Sequence, residues 1–123
     1  MSPRPDTPAK KKRLRQEAPS RKSLAPVFAA LGDDTRLRLV ALLCAGGAAS
    51  IAQLTATTEI TRQAVTKHLH VLAGAGLVQH VKVGRERMWQ FDPVQLEAAR
   101  RSLEIIGQQW EHALGKLKRA LED

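Results

Sequence analysis

The chain has 123 residues, 43% of them hydrophobic but only 3% aromatic, and a formal net charge of +8. That length suits one domain with a modest core of Leu, Val, Ile and Ala, which favours packed helices over a β-sandwich. The single cysteine excludes an intramolecular disulfide and a structural cysteine-cluster zinc site, and no run of about 18 apolar residues is present to span a membrane.

The positive charge is unevenly placed. Residues 1–23 hold eight Lys/Arg against Asp6 and Glu17, together with four prolines. With almost nothing to bury, this segment is expected to be a disordered basic tail, either simply solvated or adding non-specific phosphate contacts. It lacks an apolar stretch of the secretory kind, so a cytoplasmic protein is expected. Residues 24–123 hold twelve Lys/Arg against ten acids and make up the folded domain.

In that domain, Ser23 or Ser20 caps a first helix carrying Leu24, Val27, Phe28 and Leu31, with Gly32 ending it. Asp33 or Asp34 opens a second helix, favourable to the orphan N–H groups and to the macrodipole. Leu37, Leu39, Val40, Leu42 and Leu43 make this helix apolar around much of its circumference, and Gly46–Gly47 closes it. Arg36 and Arg38 are its polar exceptions, and solvated or ion-paired arginines are commoner than phosphate contacts. Cys44, at the end of an apolar helix, is expected to be packed. Ser50 and Gln53 have capping-box spacing for a short third helix, with Ile51 and Leu54 inward.

The stretch Ile60–Leu77, ITRQAVTKHLHVLAGAGL, is a helix with two faces. Thr61 is its N-cap, and Gly74 and Gly76 permit its end. Val65, Leu69 and Leu72 form the apolar stripe, while Gln63, Thr66, Lys67 and His70 face outward with no acid among them. His68 falls on the flank of the stripe and is expected to hold local structure. Two short helices joined by a tight turn, the second polar outside, make a helix-turn-helix. A dry back and a hydrogen-bonding, positive front suit the major groove of DNA.

Two β-rich runs follow, Leu77–Val83 and Arg87–Phe91, flanking Gly84–Arg85 as a hairpin. Its cations Lys82, Arg85 and Arg87 would neutralise phosphates or enter the minor groove, although a solvated turn carries charge as well. Asp92 and Pro93 open a last helix over about 93–122. Leu96, Ala99, Leu103, Ile106, Trp110, Ala113, Leu117 and Ala120 recur at alternating threes and fours, widened by Leu114 and Leu121. So long a stripe exceeds what a small helical core needs to cover. It points to a two-fold dimer through Leu103, Ile106, Trp110, Leu114 and Leu117 rather than a lid folded back on the core. Gly107 and Gly115 permit either a close helix approach or a bend.

The fold expected is therefore mainly α with a small β-hairpin: a winged helix-turn-helix, dimeric through its terminal helices. The segments LGDDTRLRLVALL (31–43), QAVTKHLHVLAGAGLV (63–78) and GRERMWQFDP (84–93) resemble the ArsR-type (arsenic-repressor-like) transcriptional regulators. That resemblance covers about residues 24–122 and implies a homodimer on an imperfectly palindromic double-stranded DNA operator, usually repressing its own or a neighbouring operon. Family members that sense metals carry a Cys-x-Cys at the third helix or Asp/His and His/Glu ligands on the last one. Here ASIAQLTAT (49–57) has no cysteine, and His112 stands on the last helix with only Glu104 and Glu111 as oxygen donors. Zinc takes three or four well-placed N or S ligands, so no metal or cofactor is expected, and the chain looks like the metal-independent branch.

On these readings the DNA-contacting residues are Thr61, Arg62, Gln63, Thr66, Lys67, His70, Lys82, Arg85 and Arg87. No catalytic constellation or phosphate loop is present, so an enzyme is not expected. The competing readings are a helical protein-interaction module without sequence-specific DNA binding, and a ligand- or redox-responsive member of the same family.

Overall fold

The computed structural model describes residues 21–122. Its elements are α1 (Arg21–Leu31), α2 (Asp34–Gly46), α3 (Ile51–Thr57), α4 (Arg62–Gly74), β1 (Val78–Val83), β2 (Glu86–Phe91) and α5 (Pro93–Glu122). Residues 1–20, and with them most of the expected basic tail and Ser20, lie outside the described residues. Ser23 lies inside α1, so it does not cap it. Leu24, Val27 and Ala30 form the buried edge of α1, whereas Phe28 is 38% exposed.

Asp33 caps α2 by accepting from Arg36 N–H at 3.0 Å, which leaves Asp34 in the first turn near the positive helix end. At the other end Gly47 adopts φ 77° and donates to the Leu43 carbonyl at 3.1 Å. Only Leu39, Val40 and Leu43 of this helix are buried. Leu37 is half exposed and Cys44 is exposed, contrary to the expected packing. The reason is that α1, α4 and β2 all cover one side of α2, and the residues beyond that side meet solvent.

A reciprocal capping box starts α3. Ser50 Oγ accepts from Gln53 N–H at 3.2 Å, and Gln53 Oε1 accepts from Ser50 N–H at 2.9 Å. Leu54 is buried beneath it, and the buried Thr58 hydroxyl donates to the Leu54 carbonyl at 2.9 Å. Thr61 then caps α4, accepting from Ala64 N–H at 3.1 Å. Val65, Leu69 and Leu72 are all fully buried, as helical periodicity requires.

The left-handed residue after α4 is Gly76, at φ 79°; its Leu77 N–H reaches back to the Leu72 carbonyl at 2.9 Å. A Cβ at Gly76 would also meet Gln95 Cγ of α5 at 2.8 Å. Gly76→Ala is therefore expected to lower stability by about 1–2 kcal/mol, through backbone strain and displacement of Gln95. A parental thermal midpoint in the variant would show that neither effect operates.

Strands β1 and β2 pair antiparallel with Val78 opposite Phe91, His80 opposite Trp89 and Lys82 opposite Arg87. Gly84, at φ 64°, supplies the first position of the two-residue turn. Trp89 is 1% exposed and exchanges two backbone bonds with Ala49, at 2.9 and 2.7 Å, which pins the hairpin to the segment between α2 and α3. Asp92 Oδ1 accepts from Val94 N–H at 3.1 Å as Pro93 begins α5. Early in α5, Ala99 is buried and Leu96 partly buried, and the helix packs on α1. Beyond them Leu103, Ile105, Ile106, Trp110, Leu114, Leu117 and Leu121 are all exposed. Among the described residues, no helix is long and apolar enough to cross a membrane.

Candidate nucleic-acid interface

The α3–α4 pair is joined by Thr58–Thr61 and sits with its second helix beside the hairpin. Arg62, Gln63, Lys67 and His70 project from α4 into solvent. Thr66, half-buried, donates its hydroxyl proton to the Arg62 carbonyl at 2.9 Å, so toward a ligand it is left with an acceptor lone pair. Thr61 is the converse case. Its oxygen is engaged by Ala64 N–H, and its O–H remains able to donate to a phosphate. α4 holds no acid, and Glu59, in the preceding turn, is exposed.

His70 stands at the junction of helix and wing, its ring centroid 6.1 Å from that of Trp89. On the hairpin itself, His80 meets Trp89 edge-on at 5.2 Å and 67°. His80, Lys82, Arg85 and Arg87 line one open cleft of about 370 Å³. The register explains it: successive side chains alternate faces, so His80, Lys82, Arg87 and Trp89 share one, while Glu86 opposes Val83 on the other. Lys82 directly opposite Arg87 is a like-charge pair that costs stability unless an anion lies between the two. His80 was not singled out from the sequence, though its two-residue offset from Lys82 was the available signal.

Arg36 and Arg38 both bond to groups of the protein itself. Arg38 Nη2 donates to the Thr57 carbonyl at 3.3 Å, satisfying the end of α3. Arg36 reaches carbonyls of α1 and the ring of His68, which is half-buried as its place on the stripe's flank implied. The backbone hydrogen bond from Arg36, with the charge of its guanidinium, holds the Asp33 carboxyl below its ordinary value of 3.8. A group depressed on folding contributes stability above its unfolded pKa and loses it as pH falls through the folded one. Stability should accordingly decline as pH drops below about 4, and Asp33→Asn should flatten that decline in acid melts. An unchanged acid limb in the variant would remove Asp33 from the account.

The expected dimerisation residues Leu103, Ile106, Trp110, Leu114 and Leu117 share one side of α5 and are 39–62% exposed. Sharing the helix with them, Arg100 bonds Glu97 at 2.6 Å and Glu104 at 3.1 Å. The hydrogen bond from Arg100 holds the Glu97 carboxyl below its ordinary range. This exposed network adds little beyond local helix support. Among the described residues, no three His, Cys, Asp or Glu side chains gather as a metal site.

A model of the helix-turn-helix domain matches residues 31–81. The HTH-type transcriptional regulator Rv2034 of Mycobacterium tuberculosis is 38% identical over 85 residues, 69% of this chain and 76% of that protein. Among solved structures, an ArsR-like transcriptional regulator from Rhodococcus sp. RHA1 superposes with TM-score 0.71 at 39% identity, covering 80% of this chain and 92% of that one. A homodimeric winged helix-turn-helix DNA-binding domain from Mycobacterium bovis shares the fold at 22% identity, with TM-score 0.57 over 74% of this chain and 84% of that one. These relatives are transcriptional regulators and not enzymes. With its helix-turn-helix, its wing and its long terminal helix, this chain belongs to the ArsR-type winged helix-turn-helix transcriptional regulators.

Proposed function

We propose that the protein is a homodimeric, sequence-specific DNA-binding repressor of its own or a neighbouring operon, acting in the cytoplasm on a palindromic operator. The observation that carries this is the acid-free outer face of α4 lying beside a cleft of like charges on the wing. In this reading α4 enters the major groove. Gln63 pairs with adenine, and Lys67 reaches guanine O6/N7 or a phosphate. Thr61, Arg62, Thr66 and His70 meet the backbone or base edges around them. Lys82, Arg85 and Arg87 grip the flanking phosphates, which relieves the repulsion between Lys82 and Arg87.

Dimerisation through Leu103, Ile106, Trp110, Leu114 and Leu117 buries the uncovered stripe of α5. Among the described residues no atom lies within 4 Å of the Cβ position of Gly107, which leaves room for a second helix there. Two-fold symmetry then sets the α4 helices about 34 Å apart, one turn of DNA. A gel shift on the DNA upstream of the gene, at physiological salt with competitor DNA, should give a retarded band. No shift would favour a protein-interaction module working through α5.

A further inference from the structure

One guanidinium ties three helices together. Arg36, in the first turn of α2, donates through Nε to the Ala30 carbonyl at 2.7 Å and through Nη2 to the Ala29 carbonyl at 3.4 Å. Both acceptors belong to the last turn of α1, where a cation meets the negative end of the helix; the Ala29 carbonyl also accepts from Gly32 N–H at 3.2 Å. The remaining arm, Nη1, lies 3.3 Å from Nδ1 of His68 in α4. Arginine only donates, so Nδ1 must accept, and His68 carries its proton on Nε2. Asp33 Oδ2, at 3.9 Å from the same nitrogen, is too far to hydrogen-bond it and instead caps α2.

We propose that Arg36 is a positioning residue for DNA recognition, setting the roll of α4 through His68. The proposal rests on α4 being the DNA-reading helix. Val65, Leu69 and Leu72 hold α4 by apolar contact, which is non-directional and lets the helix turn slightly about its axis. Base-reading side chains must be held within about 0.5 Å and 10–20°. The Arg36–His68 bond is directional, and His68 is the immediate neighbour of Lys67 on α4. It anchors the reading face to the end of α1, which in turn packs on α5.

A helix cap and a positioning link separate by variant. Arg36→Lys keeps the cation at the end of α1 but lacks the planar fork that reaches His68. His68→Phe keeps a ring without an acceptor, while His68→Asn places an oxygen where Nδ1 stood. The probe is the duplex that the parent protein enriches from a random-sequence pool. Affinity for that duplex should fall about tenfold in Arg36→Lys and His68→Phe, with binding to non-specific DNA unchanged, and return to within about twofold of parent in His68→Asn. In the parent, nitrogen-15 NMR of the histidine rings should show His68 as the Nε2–H tautomer.

A parental specificity ratio in His68→Phe, or equal losses in the Asn and Phe variants, overturns the proposal. So does an Nδ1–H ring in the parent, a readout that needs no variant to fold. If the parent enriches no duplex, the DNA-reading assignment of α4 fails and takes this one with it. If the parent enriches a duplex that the variants bind equally well, this proposal alone fails.

Discussion

Trp110→Ala is expected to weaken the homodimer by about 2–4 kcal/mol, roughly a thirty- to thousand-fold rise in its dissociation constant. Trp110 is the largest side chain of an apolar stripe that no other part of the described chain covers, and it is 62% exposed. It lies midway between Leu103 and Leu117, the position where an interface excludes water best. The helix bearing it runs 30 residues, of which Ala99 alone is fully buried. A helical segment with so little tertiary contact is marginal in water unless a partner covers it. Sedimentation equilibrium should therefore find the parent dimeric at micromolar concentration and the variant largely monomeric. Circular dichroism should show helix content falling with it. A parent that sediments as a monomer would remove the dimer from the proposed function and leave the stripe for another partner.

Gln63→Ala should cost about 1–3 kcal/mol of discrimination between operator and mismatched duplex, because a bidentate amide contact to adenine would be lost. Arg87→Ala should act differently, weakening all DNA sequences alike and lowering the slope of log affinity against log salt by about 1. The contrast follows from where the two residues stand. Gln63 projects from the exposed face of α4, and Arg87 lies across from Lys82 in the wing cleft. Removing one of two opposed cations also relieves repulsion in the free hairpin, so Arg87→Ala should not lose thermal stability. Salt titrations on matched and mismatched duplexes measure both effects. Parental behaviour in both variants would refute the contact assignment.

Local chemistry is legible in the order of the residues. The caps at Asp33, Ser50 and Thr61, the Val65–Leu69–Leu72 stripe and the hairpin around Gly84 each depend on residues within a few positions of one another. Such features follow from short-range hydrogen bonding and from the periods of helix and strand. The order of the elements follows from the same local signals, and the family resemblance adds what they are for. Burial on α2 departs from expectation at Leu37 and Cys44 because composition reports how apolar a helix is, not which of its sides the neighbours cover.

Contacts between residues distant in the chain are a different matter. Trp89 is buried in the apolar core, with the rings of His70 and His80 beside it and Ala49 bonded to its backbone, a combination that alternation along β2 does not disclose. Arg36 can be placed on α2 from the sequence but not aimed, and its bond to His68 spans 32 positions. Caps, stripes and turns are written into short stretches of residues because their partners are close neighbours. The Arg36–His68 link exists because packing of α1, α2 and α4 fixes directions that no local rule contains, whereas the basic cleft follows from the register of a single hairpin.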